Sequence, residues 1–308
     1  MIKVYLELVL MIILWGFSFV VVDIALEFIP PLSIAFYRFL IASLTFIIID
    51  IISKFRHKTI SARKNFSNRN INYSKNDWIL IFFASFTGIS FFFLAQYTAI
   101  EIIGPSLPAL FVCLISPIVI SLLALIFFKE RLNKIKIIGF VIATFGGFLL
   151  ITGGNLKTLT PESPGFVGYL FALLTPFLWA IYSTITKKIT KVKSKFYMLK
   201  YIAYFGTIEL FIFLLINNEF LVFIKNFFNI ILLLCGIYIG IGCYILGYYI
   251  WQNSQEKLKS SKTASFLYIE PFITLLFSYL LQRSESIVFW NIAGGIIVLI
   301  AVLIINYR

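Results

Sequence analysis

The sequence predicts an all-α integral membrane protein, with ten transmembrane helices arranged as two inverted five-helix repeats. Three observations predict it. The composition is too apolar for a water-facing shell, ten apolar stretches have spanning length, and the loops between them alternate between rich and poor in Lys and Arg.

Of 308 residues, 61% are hydrophobic and 13% charged, with a mean hydropathy of +0.99. Soluble domains carry about 25% charged residues, so the solvent that fits this chain is lipid. The net charge of +13 would suggest nucleic acid in a soluble chain. Here it reads as membrane topology, because basic residues collect in cytoplasmic loops, and no nucleic-acid partner is expected. Cys113, Cys235 and Cys243 all fall inside apolar stretches without CxxC or metal-ligand spacing. No disulfide framework, metal or cofactor is therefore expected. The single histidine, His57, lies in a basic loop, which excludes histidine chemistry within the membrane.

A span needs about 20 apolar residues. The first, Leu6–Leu26, is too long for a signal-peptide core and reads as a retained helix. The others are Leu32–Ile52, Trp78–Ala99, Pro105–Phe128, Ile135–Ile151, Val167–Ile185, Phe196–Ile216, Ile230–Trp251, Ala264–Leu281 and Ile287–Ile305. Of the 26 Lys and Arg residues, 22 fall at the termini or in one set of loops. The opposite loops hold only Lys157, Lys225 and Arg283, and Arg38 lies inside a helix. This bias puts both termini in the cytoplasm of a multi-pass inner-membrane protein. The one long polar stretch, Ser53–Asp77, reads as a flexible cytoplasmic loop able to lie on anionic headgroups.

Features recur about 154 residues apart. Gly88 and Tyr97 correspond to Gly242 and Trp251, and Ser116-Pro117 to Glu270-Pro271. One residue of slippage later, Glu130 and Gly139 correspond to Glu285 and Gly294. The halves are residues 1–152, with the loop 53–77, and residues 153–308. Five helices per half is an odd number, so the second half must enter the membrane from the other side. The charges agree: Lys129-Glu130-Arg131 is basic, and its counterpart around Glu285 has lost that excess.

The run from Ser116-Pro117 through Lys129-Glu130-Arg131-Leu132 to Gly139 and Gly146-Gly147 resembles the drug/metabolite transporter superfamily, in its ten-helix EamA-type members. Gly242 through Trp251, then Lys262 to Pro271 and Glu285, is similar to the same signature in the second half. Trp15-Gly16 and Arg38 fit the pattern too, and the resemblance covers nearly the whole chain outside Ser53–Asp77. It implies export or uptake of a small metabolite, often amino-acid-like, by alternating access.

Charges in lipid cost about 2.5–3.5 kcal/mol each at a helix centre, so those that remain are site candidates. Arg38 and Asp23 lie at similar distances from the hairpin turn at Ile29-Pro30 and are expected to pair. Arg38 reads either as an anion-recognising group or as a lock on that hairpin. Glu270, just before Pro271, is a candidate for substrate contact and for carrying a proton. Pro117 and Pro271 each free the carbonyl four residues earlier, at Cys113 and Leu267. Paired broken helices of this kind point to a binding site. Glu209 reads either as a further proton candidate or, more simply, as a helix-packing residue, and Asp23 is also a proton candidate. Trp15, Tyr37, Tyr97, Ser116, Trp179, Tyr182 and Tyr268 complete the expected cavity lining.

Gly139, Gly146-Gly147 and Gly294-Gly295 assign the fifth and tenth helices to packing inside the molecule or to a dimer face, so the chain is a monomer or homodimer. Secondary transport leads. Neither a Walker motif nor a phosphorylated-Asp motif is present to drive it with ATP. The other class, a lipid-modifying enzyme or an assembly partner, would call for a HExxH, a GxSxG or grouped carboxylates, none of which occurs. The chain is therefore not expected to be an enzyme.

Overall fold

A computed structural model describes residues 2–59, 72–130, 133–152, 165–283 and 289–306. It is all-helical, and eight helical stretches are long and apolar enough to cross a membrane among the described residues. In chain order the helices begin with α1 (Ile2–Leu26), α2 (Pro31–Thr59) and a composite of α3 (Lys75–Ser85), a π segment (Phe86–Ser90) and α4 (Phe91–Ile103). Then follow α5 (Ser106–Phe128), α6 (Lys134–Thr152), α7 (Phe166–Thr190), α8 (Lys195–Ile216) and the short α9 (Phe220–Asn226). A second composite joins α10 (Ile230–Ile237), a π segment (Tyr238–Tyr248) and α11 (Tyr249–Lys257). The chain ends with α12 (Ser260–Ser265), a 3₁₀ turn (Phe266–Ile269), α13 (Glu270–Leu280) and α14 (Phe289–Asn306). The stretches α6 and α14 are helices where the sequence predicts the fifth and tenth spans, but neither is among the eight.

Three expectations change. The polar stretch expected from Ser53 begins later, because α2 continues to Thr59. At its other end Ser74 starts α3 with a reciprocal capping box: its hydroxyl accepts from Asp77 N, and Asp77 accepts from Ser74 N. The residues between, 60–71, lie outside the described ones. The connection after α8 holds α9, too short for a periodicity signal. The expected ninth helix is not uniform: it tightens to a 3₁₀ turn at Phe266–Ile269, where Leu267 O, expected free, accepts from Glu270 N, and α-helix resumes with Pro271 in its first turn. A proline there costs no hydrogen bond, because the first turn's N–H groups have no helical partner. Pro117, by contrast, sits inside α5.

The pairing of α6 with α14 is antiparallel and tight. A Cβ on Gly139 would fall 2.5 Å from Ile305, and one on Gly146 2.6 Å from Ile297. Small residues permit that approach, so the glycine-bearing helices serve packing inside the molecule. Likewise α5 runs antiparallel to α12 and α13: Glu130, just past the end of α5, accepts a hydrogen bond from Ser260 N at the start of α12. One buried cluster spans α1, α2, both composites, α7 and α8, while a smaller one joins α5, α6 and α14.

Charged groups gather at the ends. At one end Lys187 binds Glu130 at 2.5 Å, Lys195 binds Glu256 at 2.7 Å and Lys136 donates to Ser261 at 2.8 Å. At the other, Arg283 binds Asp23 at 2.6 Å and Glu27 at 2.5 Å, and Ser33 donates to Glu219 at 2.9 Å. The first end carries the basic loops of the sequence.

Candidate functional site

Between the helices lies a narrow cleft with about 40 Å³ of internal free volume, below the ~300–1,000 Å³ typical of small-ligand sites, so it must widen to take a metabolite. Arg38 from α2 enters it, 3% exposed. Nη1 donates to the Tyr97 hydroxyl at 2.8 Å, and the guanidinium lies 4.1 Å from the centroid of Phe93. Nε has no hydrogen-bond partner. An aromatic face and one phenol hold the charge but leave much of its donor capacity unspent.

Glu270 from α13 lines the same cleft, 4% exposed, beside the Cys113 thiol. It makes no ion pair with Arg38, so a buried cation and a buried carboxyl face one space without neutralising each other. This contact also brings the broken helices together. Cys113 is the residue whose carbonyl Pro117 frees, and Glu270 directly precedes Pro271.

The floor is aromatic. Trp15 donates its indole N–H to Cys243 O at 2.9 Å, a carbonyl within the second π segment. Its ring meets Trp179 edge-on at 5.3 Å and Tyr248 at 5.6 Å. Gly247 makes this possible, since a Cβ there would fall 2.4 Å from Trp15 Nε1. Tyr182 stacks on Trp179 at 5.0 Å and Trp251 packs on it at 5.5 Å. Tyr182 and Trp251 each sit about one turn nearer the basic ends of their helices than Trp179 and Tyr248. The aromatic layer therefore separates the cleft from the basic end.

Of the residues the sequence singles out, Trp15, Arg38, Trp179 and Glu270 line the cleft. Tyr97 and Tyr182 stand one contact behind, on Arg38 and on Trp179. The other three are elsewhere. Tyr37 donates to Phe227 O at 2.7 Å among Phe223 and Phe227, toward α9. Tyr268 is buried against α6 and α14. Ser116 is fully buried, its hydroxyl without a hydrogen-bond partner, and does not reach the cleft. The expected Asp23–Arg38 pair does not form, because Asp23 is taken by Arg283 at 2.6 Å and Arg38 turns inward to Tyr97. Glu209 lies outside the cleft, held by Ser85 and Ser90.

The sequence reading missed Gln96, Tyr248, Phe92 and Phe93 as lining residues. The repeat carried a signal for the region of Tyr248, since it lies between Gly242 and Trp251. Nothing marked Phe93 among 35 phenylalanines.

The sequence pattern of the EamA-like transporter family matches residues 2–152 and again 166–307. Two proteins of Archaeoglobus fulgidus, each named an uncharacterized transporter, are similar over nearly their whole length. One is 23% identical over 97% of this chain and 96% of its own, the other 24% over 98% of both. The uncharacterized transporter YyaM of Bacillus subtilis is 23% identical over 61% of this chain and 60% of its own. A solved crystal structure superposes with a TM-score of 0.68 at 15% identity, covering 99% of this chain and 96% of that one, which is a likeness of fold.

Proposed function

Since the chain belongs to the EamA-like transporter family, we propose that it is a secondary transporter of a small zwitterionic metabolite, an amino acid or close relative, moved by alternating access between two inverted five-helix repeats. The observation that carries the substrate class is that Arg38, with its Nε unbonded, and Glu270 line one cleft without an ion pair between them. Each charge is costly alone in a low-dielectric interior. A ligand with a carboxylate for Arg38 and an ammonium for Glu270 satisfies both, and the aromatic floor accepts its side chain.

The inverted repeat draws support from the double family match and from the π segments. An offset of about 154 residues carries Phe86–Ser90 into Tyr238–Tyr248. The antiparallel pairings of α5 with α13 and of α6 with α14 are what inversion demands. With α6 and α14 counted as spans there are ten. Both termini are cytoplasmic on this reading, because the basic loops share one end; protease cleavage within 60–71 from outside the cell would overturn that orientation.

Purified protein in liposomes tests the substrate class. Amino acids are expected to be carried, while amines lacking the carboxylate and keto acids lacking the amine are not. Arg38→Ala and Glu270→Gln are expected to lose flux at normal expression. Undiminished flux in both variants would remove the site.

A further inference from the structure

We propose that Glu209 is a reversible proton-binding site outside the cleft, and that the π segment Phe86–Ser90 links its protonation to the cleft floor. The count of hydroxyl protons makes the case. Ser85 Oγ lies 2.6 Å from Glu209 Oε1 and 2.8 Å from Phe82 O. Ser90 Oγ lies 2.5 Å from Glu209 Oε2 and 3.4 Å from Phe86 O. Each hydroxyl has one proton to give.

When Glu209 is ionised, both hydroxyls turn to the carboxylate and Phe82 O loses its side-chain donor. When hydronium gives its proton to the carboxylate, its O–H bond breaks, water leaves and a new O–H bond forms on Glu209. That carboxyl donates to Ser85 Oγ, Ser85 donates to Phe82 O, and Ser90 donates to the other oxygen. Every short contact around Ser85 is then used. The same heavy-atom positions hold both states, exchanged by rotating hydroxyls.

Among the described side chains, the charged and titratable groups on the elements packed against α8 that bear on Glu209 are engaged elsewhere or exposed. On α2, Tyr37 donates to Phe227 O, Arg38 binds Tyr97, and Asp50 takes Lys200 of α8 itself. Tyr201 of α8 packs on Trp78, and Tyr204 lies by Asp50. On α3, Asp77 takes Lys193, and Lys75 stands exposed in its first turn. On α7, Tyr182 meets Gln252 and Lys187 takes Glu130; on α11, Glu256 takes Lys195, which also lies over Tyr249. Beyond the two serines, no described group hydrogen-bonds or ion-pairs with the Glu209 carboxyl.

The link runs through close packing. A Cβ on Gly206 would fall 2.4 Å from Ile89, so α8 rests tightly on the π segment one turn before Glu209. On the segment's other side a Cβ on Gly88 would fall 2.0 Å from the Tyr182 ring, and Tyr248 donates to Gly88 O at 3.3 Å. Tyr248 lines the cleft and Tyr182 stacks beneath it on Trp179. A five-residue π segment thus carries one of the carboxyl's donors, Ser90, directly follows the other, Ser85, and meets the aromatic floor on its opposite side. Local π geometry often marks functional sites in helices.

The link to transport rests on the function proposed above; the protonation does not, and the test separates them. Purified protein in the Glu270→Gln background is titrated without substrate, reading pH-difference infrared absorption of buried carboxyls and indole emission. A pH-dependent carboxyl signal is expected, lost on adding Glu209→Gln, whose amide stands in for the neutral acid. Emission from the Trp15–Trp179 floor is expected to change over the same pH range and, once Glu209→Gln is added, to stay at its low-pH form. An unchanged carboxyl signal after Glu209→Gln would overturn the proton site. Emission that follows pH equally in both proteins would overturn the link. A flux failure with both signals intact would fall on the transport reading alone.

Discussion

Arg38 shows how a buried charge is held ready without being satisfied. Its ring partner Phe93 and the Tyr97 hydroxyl fix the guanidinium, and Nε remains free. Lys offers a point charge instead of a planar fork and cannot lie flat on Phe93 while reaching the Tyr97 oxygen. Arg38→Lys is therefore expected to weaken substrate binding by at least tenfold in calorimetry while the protein stays folded. Tyr97→Phe removes one hydrogen bond to a charge, about 1.5–3 kcal/mol. Part of that loss falls on stability and part on affinity, so both melting temperature and affinity should drop. If Tyr97→Phe lowered neither, the phenol would be a bystander. Arg38 was legible in the sequence because a charge in an apolar run is rare, yet its partner was not. Helical depth could not say which neighbour Asp23 would meet, and Arg283 lies where it claims that carboxylate. The same ambiguity misplaced Tyr37 and Tyr268: a tyrosine inside an apolar helix has a polar tip, but sequence position alone does not say toward which neighbour.

Elements were read more securely than side chains because hydropathy integrates over a whole span. Helix positions came through; the irregularities within them did not. Both π segments lie in ordinary apolar sequence, and the 3₁₀ turn at Phe266–Ile269 was marked only by the Pro271 that follows. The glycines of α6 were legible as a packing face, and their role can be measured. Gly146→Leu would drive a side chain into Ile297, whose Cγ2 would be 2.6 Å from the first added carbon. Overpacking of this kind costs about 1–3 kcal/mol. The detergent-solubilised protein should melt several degrees lower, whereas Val141→Leu on the same helix, 65% exposed, should not. Equal melting of the two variants would mean that α6 and α14 are not clamped at this glycine.

On the scale of the whole molecule, the cleft is closed from the basic end by two layers: the aromatic floor, and beyond it a polar latch. Glu130 accepts from Lys187 Nζ at 2.5 Å and from Ser260 N at 2.8 Å, tying the ends of α5 and α7 to the start of α12. Lys187 Nζ also donates to Ser260 Oγ at 2.6 Å. These helices must part if the cleft is to open toward that end, and the latch must break when they do. Glu130→Gln keeps the shape but removes the charge, at about 1–3 kcal/mol for charge-assisted bonds. An equilibrium shifted by that amount changes about 5- to 150-fold. Cys113 is the reporter, since it lines the cleft. With Cys235 and Cys243 replaced by serine, in vesicles sorted by orientation, a charged thiol reagent applied from the basic side should label Cys113 faster in Glu130→Gln by a factor in that range, and substrate should protect it. Glu256→Gln breaks the more exposed Lys195–Glu256 pair at the same end, where a surface ion pair is worth about 0–1 kcal/mol, and should leave labelling nearly unchanged. If both variants labelled alike, closure would rest on the aromatic layer of Trp15, Trp179 and Tyr248, and the polar contacts at the helix ends would only follow its movement.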